Sequence, residues 1–158
     1  MSDNVQSCQA VPISRALLIA VLEDRLSDRF TCTLVWHRLG YLATNPGFPW
    51  KAGPDTPSEW AQAFPLAPEV IAWRSASVQL TRSIARPYKQ LLKQQLHFTG
   101  YKISELYPRK TRRATVVNWL LAYLAERGKI LPDIGEMPAL ADPPQSPSQG
   151  HPGDPAIN

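Results

Sequence analysis

Cysteine is nearly absent from this 158-residue chain, with Cys8 and Cys32 as its only two. Two isolated thiols build neither a disulfide framework nor a zinc site, so a reducing compartment is the simpler expectation. Long apolar runs are missing as well. The stretch "ALLIAVL" (16–22) is too short to cross a bilayer, and the opening "MSDNVQSCQAVPIS" has no positively charged leader. These absences predict a soluble, cytoplasmic protein without a membrane span. Histidine is scarce, and His37, His97 and His151 lie far apart. HExxH, paired Cys-x-x-Cys, a glycine-rich phosphate loop and a GxSxG elbow are all missing. No catalytic residue, metal site or cofactor is therefore expected.

Acid is the next scarcity, and it is local. The chain holds 17 Lys+Arg against 13 Asp+Glu, a net charge of only +4. Between Arg74 and Arg113, however, ten basic residues face a single acid, Glu105. Such asymmetry marks either an anion-binding face or a half of the fold that pairs with the other half.

What is present reads as one mostly α domain: a compact bundle of about five helices over residues 13–130, with room for a two-stranded element. Hydrophobic residues make up 44% and charged ones 19%, a globular composition. A flexible lead (1–12) precedes Ser14, which can cap a helix carrying Leu17, Leu18, Val21, Leu22 and Leu26. Ser27 offers a second cap, and Gly40 a stop. Between them Phe30, Cys32, Leu34 and Trp36 alternate with Thr31, Thr33 and Val35, so a strand is the rival reading there.

"ATNPGFPWKAGPDT" (43–56) is a loop whose Phe48 and Trp50 are expected to fold back on the core. Thr56, Pro57 and Glu59 spell a capping box for a short helix. Val78 and Leu80 alternate with polar neighbours, which suggests a strand near 78–82 pairing with 101–103. Pro87 opens a helix ending near Gly100, and a last helix runs from about Lys110 to Arg127, stopped by Gly128. From Pro132 onward come seven of the 16 prolines, and 131–158 reads as a disordered Pro-rich tail.

The basic stretch is the informative part. Arg86, Lys89 and Lys93 fall at helical intervals, so one face would present them together. Arg109, Lys110, Arg112 and Arg113 crowd the start of the last helix, where roughly half a positive charge from the peptide dipoles already stands. Some anion has to make this tolerable. The candidate anion- or partner-binding set is Arg82, Arg86, Lys89, Lys93, Lys102, Arg109, Lys110, Arg112 and Arg113, with Tyr88, Tyr101 and Tyr107 as possible aromatic contacts. The alternative is a solvated face, or ion pairs with acids such as Glu23, Asp24 and Asp28. A helix-turn-helix over "LLKQQLHFTGYKISEL" fits poorly, because Leu96 stands where close packing needs a small residue and Pro108 cuts the second helix short.

"LVWHRLGY" (34–41), "VQLTRSI" (78–84), "KQLLKQQLHFTGYKI" (89–103) and "PRKTRRATVVNWLLAYL" (108–124), in this order, resemble a cyanobacterial and chloroplast family catalogued as domain of unknown function 1823. The resemblance covers roughly residues 14–125. It implies an oxygenic phototroph and a cytosolic or stromal location, and it carries no catalytic residues with it. Where that family has a Pro-Pro-Glu-like turn, this chain has "ARPY" (85–88), one acid fewer. The functional expectation is a non-catalytic accessory or regulatory protein that engages an acidic protein through its basic face. Nucleic-acid binding by the same face is the alternative, and an unrecognised enzyme the third reading.

Overall fold

Two serines start the first two helices. Ser14 Oγ accepts from the Leu17 amide at 3.1 Å and opens α1 (Arg15–Leu22). Ser27 Oγ accepts from the Phe30 amide at 3.1 Å and opens α2 (Asp28–Arg38). Each satisfies an amide that a helix start leaves free. The computed structural model describes residues 10–158, so Cys8 and most of the expected lead lie outside the described residues.

The strand reading of 30–37 fails on burial: α2 encloses Thr31, Cys32, Leu34, Val35 and Trp36, which belong to both faces of any alternation. Gly40 then turns the chain with φ +83°, and a Cβ there would meet the Asp55–Thr56 backbone at 3.0 Å. Only glycine fits that turn.

Six α-helices form in all among the described residues, joined by two short 3-10 turns, and the fold is mostly α. The remaining four are α3 (Ser58–Ala63), α4 (Arg74–Ser83), α5 (Leu91–Leu96) and α6 (Pro108–Glu126). The expected strand at 78–82 is corrected. It lies inside α4, where Ala76, Ser77 and Leu80 are buried at helical spacing. Strand-like pairing occurs instead as isolated bridges, Leu42 with Lys51 and Lys51 with Leu66, which pin the proline-rich loop. The expected capping box is also absent. Pro57 is the N-cap of α3, and Thr56 Oγ1 accepts from the Gly53 amide within the turn before it. Trp50 packs against the core as expected, whereas Phe48 is 65% exposed.

The helix α6 organises the rest. It packs on α1, α2, α4 and α5, and its middle, Val116 to Ala122, is buried all round. A helix apolar on every side belongs at the centre of a bundle. Asn118 inside it is satisfied by α5 and the turn before it: its Oδ1 accepts from the Leu92 amide at 3.0 Å and its Nδ2 donates to the Tyr88 carbonyl at 3.0 Å. No helix among the described residues is long and apolar enough to cross a membrane.

Residues 131–158, expected as a Pro-rich tail, form neither helix nor strand, and they run along the domain and cap three helix starts. The carbonyls of Pro132 and Asp133 accept from the first amides of α1, Arg15 and Ala16, at 2.8 and 3.1 Å. Asp154 accepts from the Asp28 and Arg29 amides of α2 at 2.9 and 3.1 Å. Asn158 Oδ1 accepts from the Arg74 amide of α4 at 3.1 Å. A polar segment without apolar periodicity is held here by the amides that helix starts leave free.

Candidate functional site, a basic groove beside a buried ion cluster

The crowd of cations opening α6 divides in two. Arg109 and Arg113, one helical turn apart, point into the protein and are 0% and 1% exposed. Their partners are Asp24, in the turn after α1, and Asp28, at the start of α2. Arg109 Nη1 and Nη2 each donate to an Asp24 oxygen at 2.7 Å, and its Nε donates to Asp28 Oδ2 at 2.9 Å. Arg113 Nη1 donates to Asp28 Oδ1 at 2.6 Å, and its Nη2 to the Val21 and Leu26 carbonyls. Two cations meet two carboxylates, so the cluster is neutral where water is excluded.

Asp24 reaches its partners from a left-handed backbone, φ +62°, which aspartate tolerates better than most residues. Burial alone would raise its carboxyl. The Arg109 hydrogen bonds and the charges of Arg113 and Arg109 outweigh that and hold it below the usual carboxylate range.

The C-terminal segment closes the cluster. The Pro147 carbonyl accepts from Arg109 Nη1 at 3.0 Å, and His151 Nε2 lies 3.1 Å from both the Asp24 carbonyl and its Oδ1. Gly150 crosses directly above with φ +89°; a Cβ there would stand 3.0 Å from Arg109 Nε, Asp28 Oδ2 and Asp154 Oδ2. The anion that the α6 start requires is thus internal. Arg109 and Arg113 leave the candidate binding set, because they are enclosed and paired.

The other cations of that set stay at the surface. Arg82, Arg86, Lys89, Lys93 and Lys102 are exposed. Arg86 lies in a 3-10 turn (Arg86–Tyr88) and Lys93 in α5, with Lys89 between them, so these three do not share one helix face as expected. Lys110 pairs with Glu105 at 3.8 Å and sits 5.2 Å from the centre of the Tyr101 ring. Tyr101 also donates its hydroxyl to the Leu22 carbonyl at 3.2 Å, and burial pushes that hydroxyl up to about 12. Tyr88 packs against the core, and Tyr107 is the half-buried N-cap of α6.

Arg112 turns the opposite way from Arg113, into an open groove of about 410 Å³ between α4 and α6. Its Nη1 donates to the Ile71 and Ala72 carbonyls at 2.9 and 3.2 Å, which fixes the guanidinium beside the start of α4. Partial burial, then the like charge of Arg74, pull its pKa down. Ser77, Thr81, Thr111 and Thr115 line the same groove, the three threonine hydroxyls donating to carbonyls of their own helices, and Leu106 and Val78 give it an apolar rim. Among the described residues no carboxylate comes within ion-pair distance of Arg74, Arg82, Arg86, Lys89 or Arg112. Arg112, tied to two carbonyls, and the exposed Arg74 thus share one groove.

Of the groove's residues, Arg112 belongs to the candidate set, whereas Arg74 lies in the basic stretch but outside that set. The signal that separates the cations is their register on α6. Arg109 and Arg113 continue the apolar stripe of Val116, Val117, Leu120 and Leu124, while Arg112 falls beside it.

The chain is similar to a protein solved in solution by NMR, with 50% identity and a TM-score of 0.65, over 77% of this chain and 100% of that one. No curated protein matches it. The model of one family matches residues 12–125, and the C-terminal segment that closes the ion cluster lies beyond that span. The chain belongs to the family described as Domain of unknown function (DUF1823).

Proposed function

We propose that this chain is a non-catalytic accessory or regulatory protein that binds an acidic protein partner through the groove between α4 and α6. The observation that carries the reading is the Arg74–Arg112 pair. Both cations line one groove with Ser77, Thr81, Thr111 and Thr115, and no described carboxylate lies within ion-pair distance of either. The exposed Arg82, Arg86 and Lys89 extend the positive field. The apolar rim, with Leu106 at 53% and the neighbouring Ile103 at 89% exposure, suits an amphipathic acidic segment better than a phosphate backbone. The tyrosines support the same choice. Tyr101 is half-buried, has Lys110 over its ring and Phe98 edge-on to it, and is tied to Leu22, which leaves it poorly placed to stack a base.

Affinity purification from the native cell tests the reading, comparing the chain with an Arg74→Glu variant before and after nuclease treatment. The expected result is a partner retained after nuclease, released by moderate salt and lost in the variant. Partners that disappear with nuclease would replace this reading with nucleic-acid binding.

A further inference from the structure

A second cleft, of about 540 Å³, lies where α2 meets the proline-rich loop. That volume is within the range that encloses small organic ligands. Its walls are aromatic. Trp36 is fixed by its indole N–H, which donates to the Pro68 carbonyl at 2.6 Å, and its ring meets that of Trp50 with centroids 5.3 Å apart. Phe48 completes the rim. It stays exposed although paired hydrogen bonds between Leu42 and Lys51, at 2.8 and 3.0 Å, pin the base of its loop. Three rings therefore surround a preformed space that no described side chain fills.

Two opposite charges line the same cleft. Glu69 is partly buried and lines the wall of the cleft. A carboxylate in a part-enclosed wall attracts a ligand's cation more strongly than one in open water. Arg29 is turned aside, its Nη2 donating to the Gly153 carbonyl at 3.2 Å, and it comes within ion-pair distance of no described carboxylate. Anion and cation thus share one cleft without neutralising each other by contact. A molecule that presents both charges on an apolar ring matches every wall. Thr33 lines it too, its hydroxyl donating to the Phe30 carbonyl.

We infer that this cleft binds a small aromatic zwitterion of the amino-acid type, its ring among Trp36, Phe48 and Trp50, its ammonium toward Glu69 and its carboxylate toward Arg29. The site is separate from the groove between α4 and α6, and neither reading depends on the other.

Ligand-observed NMR on the full chain tests it with three probes: L-phenylalanine, phenethylamine and 3-phenylpropionate. L-phenylalanine is expected to bind more tightly than either one-ended analogue. Glu69→Gln, which keeps the shape of the side chain, should weaken L-phenylalanine and phenethylamine about tenfold and leave 3-phenylpropionate unchanged. A thermal melt of the variant confirms that it is folded before binding is compared. Equal affinity for the three probes, no binding of any, or a folded Glu69→Gln that binds L-phenylalanine as well as the parent would each overturn the assignment.

Discussion

Arg109 and Asp24, 85 residues apart in the chain, are joined by two hydrogen bonds of 2.7 Å, and both side chains are enclosed. This pair resolves the conflict at the start of α6, where cations oppose the helix dipole. The acids come from the turn between α1 and α2, so the same contact that neutralises the arginine fastens three helices together.

Removing Arg109 leaves two buried carboxylates to share one arginine, Arg113. Arg109→Met should therefore cost about 3–5 kcal/mol. Arg112→Ala, which removes a half-exposed charge and two carbonyl contacts, should cost about 1 kcal/mol or less. Urea denaturation of the two variants at matched slope measures the difference. Equal losses would show that the buried cluster does not hold α6 in place.

Acid should act through Asp24. Its folded pKa lies below its ordinary 3.8, so its contribution is fully present above that value and lost as pH falls through the folded one. Urea midpoints should drop as pH is lowered from about 5 toward 2. The gap between the parent chain and Asp24→Asn should narrow over the same window. A gap independent of pH would place the acid sensitivity elsewhere.

The C-terminal segment should matter for stability. Asp154→Ala removes the cap it places on α2 and should cost about 1 kcal/mol. Deleting 147–158 also removes the contacts of Pro147, His151 and Asn158 and should lower the melting temperature by several degrees. A shift within about 1 °C would mean that the segment is not docked in solution.

Glu69 titrates in the opposite sense. Burial raises its carboxyl above the ordinary 4.5, so the stability it contributes is present below that value and lost as pH rises through the folded pKa. Glu69→Gln should melt higher than the parent at neutral pH, with the advantage fading below about pH 4. Melting curves at several pH values check this, and a variant less stable at neutral pH would show that the ionised carboxylate has a partner.

The legible parts of the fold were those with local causes. Ser14 and Ser27 announce α1 and α2 because a cap and the amide it receives lie three residues apart. The apolar stripe from Val116 to Leu124 announces α6 for the same reason. Short alternation misled at Val78 and Leu80, since a pair of apolar residues two apart fits a helix that buries only one of them. The contacts of Asp154 and Asn158 had no local signature, because each reaches back more than 80 residues to the helix it caps. The groove was half legible: its charges stood out, but which of four neighbouring cations faces outward depends on the exact register of α6.

The cluster also sets an order of events as the chain is made. Asp24 and Asp28 leave the ribosome more than 80 residues ahead of Arg109. At roughly 5–20 residues per second that is a delay of about 4–16 s. Until then Asp24 and Asp28 lack the two arginines that pair with them, and α1 and α2 lack the central helix they pack on. The Asp154 cap arrives later still, 126 residues after the α2 amide it receives. Closure of the bundle therefore waits for α6 and for the segment that follows it, and a nascent chain halted before α6 leaves the α1–α2 surface uncovered.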